Sequence, residues 1–300
     1  METLLQHLLN GLSLGSIYAL IALGYTLVYG ILRLFNFAHG DLFMMGAYAA
    51  LASAGAMGAA QVAGPFGFSA ALGAAMAATA ALGLAVERFA YRPLRGQPRI
   101  NLLITAVGVS LLLENLGQVL FGATPRVFPS FFEETEAFAV MGASVSKLDL
   151  AVLITTLALL GLLEWVVLGT RLGRAMRAVA HDHATASLVG IPVDKVIAFT
   201  FALGSALAAA AAVLYGVKYP RVDPLMGILP GMKAFVAAVL GGVGNLKGAV
   251  AGSLILGLAE TLVSAYGAST WRDALAFAIL IGILMFKPAG LFGKYEPEKV

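Results

Sequence analysis

Apolar runs long enough to cross a bilayer recur through this 300-residue chain, and no other feature restricts its fold as much. A hydrocarbon core about 30 Å thick needs roughly 17 to 25 apolar residues per helix. Runs of that kind lie at about 5 to 31, 42 to 58, 68 to 87, 101 to 121, 149 to 169, 196 to 217, 248 to 266 and 272 to 286. A ninth stretch, about 225 to 243, is short and interrupted by Pro224, Gly227, Pro230 and Gly231, which suits either a full span or a re-entrant half-helix. Residues are 60% hydrophobic and only 12% charged, against about a quarter charged in soluble domains. The expectation is therefore an all-α polytopic membrane protein, one transmembrane domain over residues 1–300 with eight or nine helices, some broken or re-entrant. Its N-terminus, METLLQHLLN, has an acid and no Lys or Arg, so the first run reads as a retained span rather than a signal peptide. There is no cysteine, which excludes disulfides, thiolate metal sites and cysteine nucleophiles.

One long segment is built for water. RLGRAMRAVAHDHATASLVGIPVDK, residues 171–195, holds three arginines, a lysine and two aspartates, and a charge at the membrane centre costs roughly 2.5 to 3.5 kcal/mol on the lenient insertion scale. The spacing predicts a short amphipathic helix over about 172 to 189, with Leu172, Met176 and Val179 on one side and Arg174, Arg177 and His181 on another. Gly190 stops it and Pro192 prevents its resumption. Such a helix, held between two spans, is a docking knob whose apolar stripe needs a surface to cover it. Ala178, Ala186 and Gly190 permit close approach, and Arg174 and Arg177 suit acids on a partner. If the ninth stretch crosses, 13 of the 19 basic residues fall on this side, making it cytoplasmic. The loop 122–148, with Glu133, Glu134 and Glu136, and the N-terminus then lie outside.

Two polar clusters interrupt the apolar pattern. NFAHGD places Asn36, His39 and Asp41 around Gly40, and GGVGNLKGAVAGS places Gly242, Gly244 and Asn245 before another span. Both follow an apolar run on the same predicted side and lead into a small-residue helix, a weak sign of two related halves. Interrupted segments at corresponding positions mark a translocation pathway. The glycine cluster is not a phosphate loop, because Lys247 precedes Gly248 and no hydroxyl follows in register. Any ATP hydrolysis would thus belong to another protein. Glu114, Glu164 and Glu260 fall inside predicted spans, where an acid marks a proton path, a partner or a helix contact. The four histidines show no metal-ligand spacing, and no nucleophile elbow is present. No metal or cofactor is expected, and the basic residues read as topology signals rather than nucleic-acid contacts.

NGLSLGSIYALIALGYTLVYGI (10–31), NFAHGD (36–41), RAVAHDHATASLVGI (177–191) and GMKAFVAAVLGGVGNLKGAVAGSLILGLAE (231–260) together closely resemble the permeases of branched-chain amino acid ABC importers of the LivH type. The resemblance runs over nearly the whole chain. It implies a non-enzymatic subunit of the cell inner membrane that works with a second, related permease, two cytoplasmic ABC ATPases and a periplasmic amino-acid-binding protein. It also implies that the 171–195 loop carries a coupling helix seated in an ATPase groove. The loop lacks the Glu-Ala-Ala signature of other ABC importers; Ala178, Asp182, Ala186 and Gly190 recur every four residues instead. A stand-alone proton-coupled carrier using the three intramembrane glutamates, and an intramembrane enzyme, are the competing readings.

Overall fold

The computed structural model describes residues 2–58, 63–132, 135–140, 142–267 and 269–293; Glu133, Glu134, Lys294 and Lys299 of the charge pattern lie outside the described residues. The helices are α1 (Glu2–Leu32), α2 (His39–Met57), α3 (Pro65–Val86), α4 (Arg99–Phe121), α5 (Lys147–Glu164), α6 (Arg171–His181), α7 (His183–Leu188), α8 (Val193–Lys218), α9 (Ile228–Gly241), α10 (Leu246–Tyr266) and α11 (Arg272–Phe286). Seven of them, α1, α3, α4, α5, α8, α10 and α11 with their flanking turns, are long and apolar enough to cross a membrane. All seven coincide with apolar runs. The run at 42 to 58 is α2, whose first turn is the polar His39-Gly40-Asp41. The interrupted stretch forms α9, 14 residues and so about 21 Å long, too short to cross by itself. Residues 219–227 supply the rest of that path as non-helical chain.

Contacts sort the helix ends. At one end Arg33 Nη2 donates to the Ala180 carbonyl at 3.5 Å, His183 Nε2 lies 2.8 Å from the Ile31 carbonyl, and Arg95 pairs with Asp194 at 2.7 Å. At the other, Lys218 Nζ donates to Asp149 (2.7 Å) and Ser13 (2.8 Å). There β1 (Arg126–Val127) pairs antiparallel with β4 (Arg221–Val222), and β2 (Glu136–Val140) forms a hairpin with β3 (Ala143–Ser146). These are called below the α6–α7 end and the hairpin end. α3 and α5 each finish in a π-helical turn, Glu87–Tyr91 and Trp165–Gly169.

α1 and α8 form the centre. In their most apolar 18-residue windows 89% and 78% of residues are buried, against 22% in α5 and 6% in α11. Small residues explain this, because membrane helices associate through close packing rather than hydrophobic drive. The run Ala208–Ala212 is wholly buried. Gly11 and Gly15 form a Gly-x-x-x-Gly face against α10: a methyl at Gly15 would stand 2.9 Å from the Leu254 Cα, and one at Gly11 2.9 Å from the Leu258 Cα.

Candidate functional site

Two helices start inside the bundle rather than at an end of it. His39, the first residue of α2, lies against Gly24, eight residues before the end of α1, with Gly204 of α8 beside it. Gly40 meets the start of α9: a methyl on Gly40 would stand 2.6 Å from the Gly227 carbonyl, and one on Gly231 3.0 Å from the Gly40 Cα. From this junction α2 runs to the hairpin end, where Tyr48 stacks on Phe121 with centroids 4.2 Å apart. α9 runs the other way, to a glycine contact in which a methyl on Gly242 would lie 2.5 Å from the Gly293 nitrogen. The N-termini therefore meet head to head. Neither N-cap, Ala38 or Gly227, makes a side-chain cap; the His39 and Ile228 amides turn back to the Asn36 and Leu225 carbonyls (3.0 and 3.2 Å), and two positive helix ends converge there. Phe37, Leu225, Ile228, Leu229 and Met232 on this face are each 40–49% exposed. Non-helical backbone at such depth is tolerated only against protein or a water-filled cavity, which sets this face apart from lipid-facing surfaces on unbroken helices.

The residues of NFAHGD are interior supports of the junction. Asn36 and His39 are each 1% exposed and Asp41 3%. The side-chain Oδ1 of Asn36 accepts from Tyr91 Oη (2.7 Å) and the Ala38 amide (3.2 Å), which fixes the bend. Asp41 accepts from Ser110 Oγ on α4. Gly242 and Gly244 occur elsewhere, at the α6–α7 end, with φ of 106° and 86°. Asn245 caps α10 there: its Oδ1 accepts from the Gly248 amide at 3.1 Å and its Nδ2 donates to the Phe292 carbonyl at 3.0 Å. Gly244 and Asn245 line an open cavity of about 1030 Å³ together with Arg33, Arg99, Arg177 and Lys247. The sequence pattern set the two clusters in matching positions; the structure separates them by half the bundle.

The three intramembrane acids have different surroundings. Glu260, fully buried, accepts from Tyr18 Oη (3.1 Å) and Arg272 Nε (3.0 Å) and forms an ion pair with Lys233 Nζ (3.1 Å), and Lys233 also pairs with Asp273 at 2.6 Å. Four helices, α1, α9, α10 and α11, are tied by this network. Glu114 is half-buried on α4 and Glu164 exposed at the end of α5; among the described residues neither makes an ion pair. Glu87, which from its place at the end of an apolar run would be an interfacial group, is instead buried and paired with Arg92 (3.0 Å) and Arg95. Among the described residues no three His, Asp or Glu side chains converge as metal ligands.

The water-seeking loop is two helices rather than one. Thr170 Oγ1 accepts from the Gly173 amide (3.0 Å) and starts α6. Asp182 then takes an extended conformation and caps α7, accepting from the Ala184 amide (2.8 Å) and Thr185 Oγ1 (2.6 Å). A short side chain competing with the backbone for these bonds is what breaks the predicted helix. The Thr185 hydroxyl, with the neighbouring amides, holds the Asp182 carboxyl below the usual range. Gly190, at φ 82°, closes α7 as expected. Met176 and Val179 are buried against the chain's own bundle and only Leu172 of the stripe stays half exposed; Leu188 and Val189, at 86% and 71%, are the apolar residues left in the open. Arg174 is exposed, Arg177 donates to the Val167 carbonyl, Ala178 is half-buried and Ala186 buried. Sequence reasoning passed over Lys233, Tyr18, Arg272 and Leu188. A lysine within an apolar run was the signal for the first; nothing local marks Tyr18.

The family described as branched-chain amino acid transport system, permease component, matches residues 7–284. The high-affinity branched-chain amino acid transport system permease protein LivH of Escherichia coli K12 is 42% identical, covering 99% of this chain and 97% of its own. BraD of Pseudomonas aeruginosa, named likewise, is 41% identical over 99% and 98%. More distantly, the ribose import permease protein RbsC of Escherichia coli K12 is 27% identical over 92% and 84%. No solved structure matches the chain. A family match across the membrane-spanning core, with relatives above 40% identity end to end, means that the chain belongs to the branched-chain amino acid transport permeases.

Proposed function

We propose that this chain is the transmembrane permease subunit of an ATP-driven importer that carries branched-chain amino acids across the cell inner membrane. The observation that supports it best, beside the family, is the head-to-head meeting of α2 and α9, the arrangement by which transporters with discontinuous helices point half-helix N-termini at their cargo. The half-exposed face of Phe37, Leu225, Ile228, Leu229 and Met232 is then the wall of a path shared with a second, related permease, and its apolar character suits an aliphatic cargo. Asn36, His39 and Asp41 shape the gate from behind, and Gly242, Gly244 and Asn245 shape the mouth at the α6–α7 end. That end faces the cytoplasm, the N-terminus lies outside, and the loop 171–195 receives motion from two ATPase subunits through Arg174, Ala178, Asp182, Ala186 and Gly190. A periplasmic binding protein delivers the cargo at the hairpin end.

A proton-coupled carrier has less support. Its best acid, Glu260, is neutralised by Lys233 and Arg272, an arrangement that fixes helices rather than exchanging protons with water. Proteoliposomes decide between the two. Leucine uptake should require the partner permease, both ATPases, the binding protein and ATP. Uptake by this chain alone under a proton gradient would overturn the reading.

A further inference from the structure

The loop of α6 and α7 is fastened to α1 at the point where the chain leaves that helix for the mid-bundle junction. A helix leaves its last four carbonyls without intrahelical partners. In α1 one of these, the Ile31 carbonyl, is taken by His183 Nε2 of α7 at 2.8 Å. Two residues later Arg33 adopts φ 53°, a left-handed conformation rare outside glycine, and its guanidinium reaches back to the Ala180 carbonyl at the end of α6. The chain then passes through Phe35, whose ring meets Phe235 of α9 edge to face with centroids 4.7 Å apart. Loop, end of α1 and half-helix α9 are thus joined by direct contacts with no gap.

We propose that His183 is a positioning residue for transport: by capping the Ile31 carbonyl it makes α6–α7 and the end of α1 move as one body, and Phe35 passes that movement to Phe235 and the short helix α9. The proposal rests on the reading that ATPase subunits engage this loop. It adds the route by which their movement reaches the path. α9 is suited to be the receiving element, since it is short, starts mid-bundle and ends at close glycine contacts.

The test uses the complete transporter in proteoliposomes, with uptake and ATP hydrolysis measured together. His183→Ala should leave ATPase co-purification and binding-protein-stimulated hydrolysis near wild type while uptake per ATP falls about tenfold, within the range of a typical coupling between sites. His183→Gln, whose amide can donate to the Ile31 carbonyl, should restore most of it. His183→Leu, which fills similar space without a donor, should not, and this pair decides the matter if the alanine variant is not recovered. Phe35→Leu should also uncouple, and adding it to His183→Ala should cost less than the product of the single effects, because both residues serve one route. Normal uptake per ATP in both His183→Ala and His183→Leu, or multiplicative losses in the double variant, would overturn the proposal while leaving the importer reading in place. Failure of the wild-type chain to bind ATPase subunits would instead remove the reading on which it rests.

Discussion

NFAHGD and GGVGN look alike as sequence, each joining glycine to an amide side chain between apolar runs, yet they do opposite jobs. The first sits at mid-bundle with its polar side chains almost wholly buried, where Gly40 touches the backbone of another chain segment. The second is a turn at the α6–α7 end; Gly242 and Gly244 take positive φ, and a methyl on Gly244 would meet nothing within 4 Å. The counterpart of NFAHGD is not GGVGN but DPLMGILPG, residues 223–231, which meets it head to head. What separates the two cases is what each glycine is for. At Gly40 and Gly227 it provides absence of volume; at Gly244 it provides a backbone angle.

That distinction gives the largest expected effect. Gly227→Val would drive a side chain into the Gly40 carbonyl, where no flexible group can yield. The cost should exceed about 3 kcal/mol, the upper range of overpacking in a well-packed core, with loss of both assembled transporter and uptake. Gly244→Ala meets only backbone strain, about 1 to 2 kcal/mol, and should retain uptake. Equal loss of recovered complex in the two variants would break the comparison.

The junction can be probed through its anchor as well. Lys233 lies two residues beyond Gly231, and its ammonium lies between Glu260, fully buried, and Asp273. Lys233→Met should lower the thermal stability of the complex by about 3 kcal/mol, the low end for removing one partner of a buried pair, because Arg272 and Tyr18 still hold Glu260. Glu260→Gln in the same chain should recover part of that loss. The Lys218–Asp149 pair at the hairpin end, 17% exposed on both sides, should cost about 1 kcal/mol when broken. A larger effect at Lys218 than at Lys233 would show that α9 is not held by its ion network.

Much of this was legible because lipid imposes one rule on every span. Of the eight apolar runs, seven became helices long and apolar enough to cross and the eighth became α2; the prolines and glycines at 224–231 left a full span or a half-helix open, and the helix there has 14 residues. Burial of a particular span could not be read in the same way, since the most apolar windows of α1 and α11 are similarly apolar and differ in what packs on them. The same limit hid the site. Asn36 and His39 stood out as polar residues, but whether a polar residue lines a path or supports its wall depends on partners far away in sequence, such as Tyr91 for Asn36. The break of the water-facing loop at Asp182 is a local effect, and Asp two residues before Ala184 and three before Thr185 is a cap signal that the apolar stripe overrode.

The smallest effect concerns that cap and is a matter of pH. The Asp182 carboxyl is held below its usual range first by the Thr185 hydroxyl and then by the amides of Ala184 and Thr185, so its folded pKa lies below its unfolded one. Stabilisation of α7 is then complete above the unfolded value, about 3.9, and disappears as pH falls through the folded value. At neutral pH Asp182→Asn, which keeps an acceptor at the cap, should match wild type, whereas Asp182→Ala should show faster amide exchange over Thr185–Leu188. Under acid, after correction for intrinsic exchange rates, wild type should come to resemble the alanine variant while the asparagine variant keeps its protection. Parallel behaviour of the wild-type and asparagine chains down to pH 3 would mean that the carboxylate charge contributes nothing to α7. The turn would then be held by Gly190 and the Ile191 to Ala186 hydrogen bond (3.1 Å) at its other end.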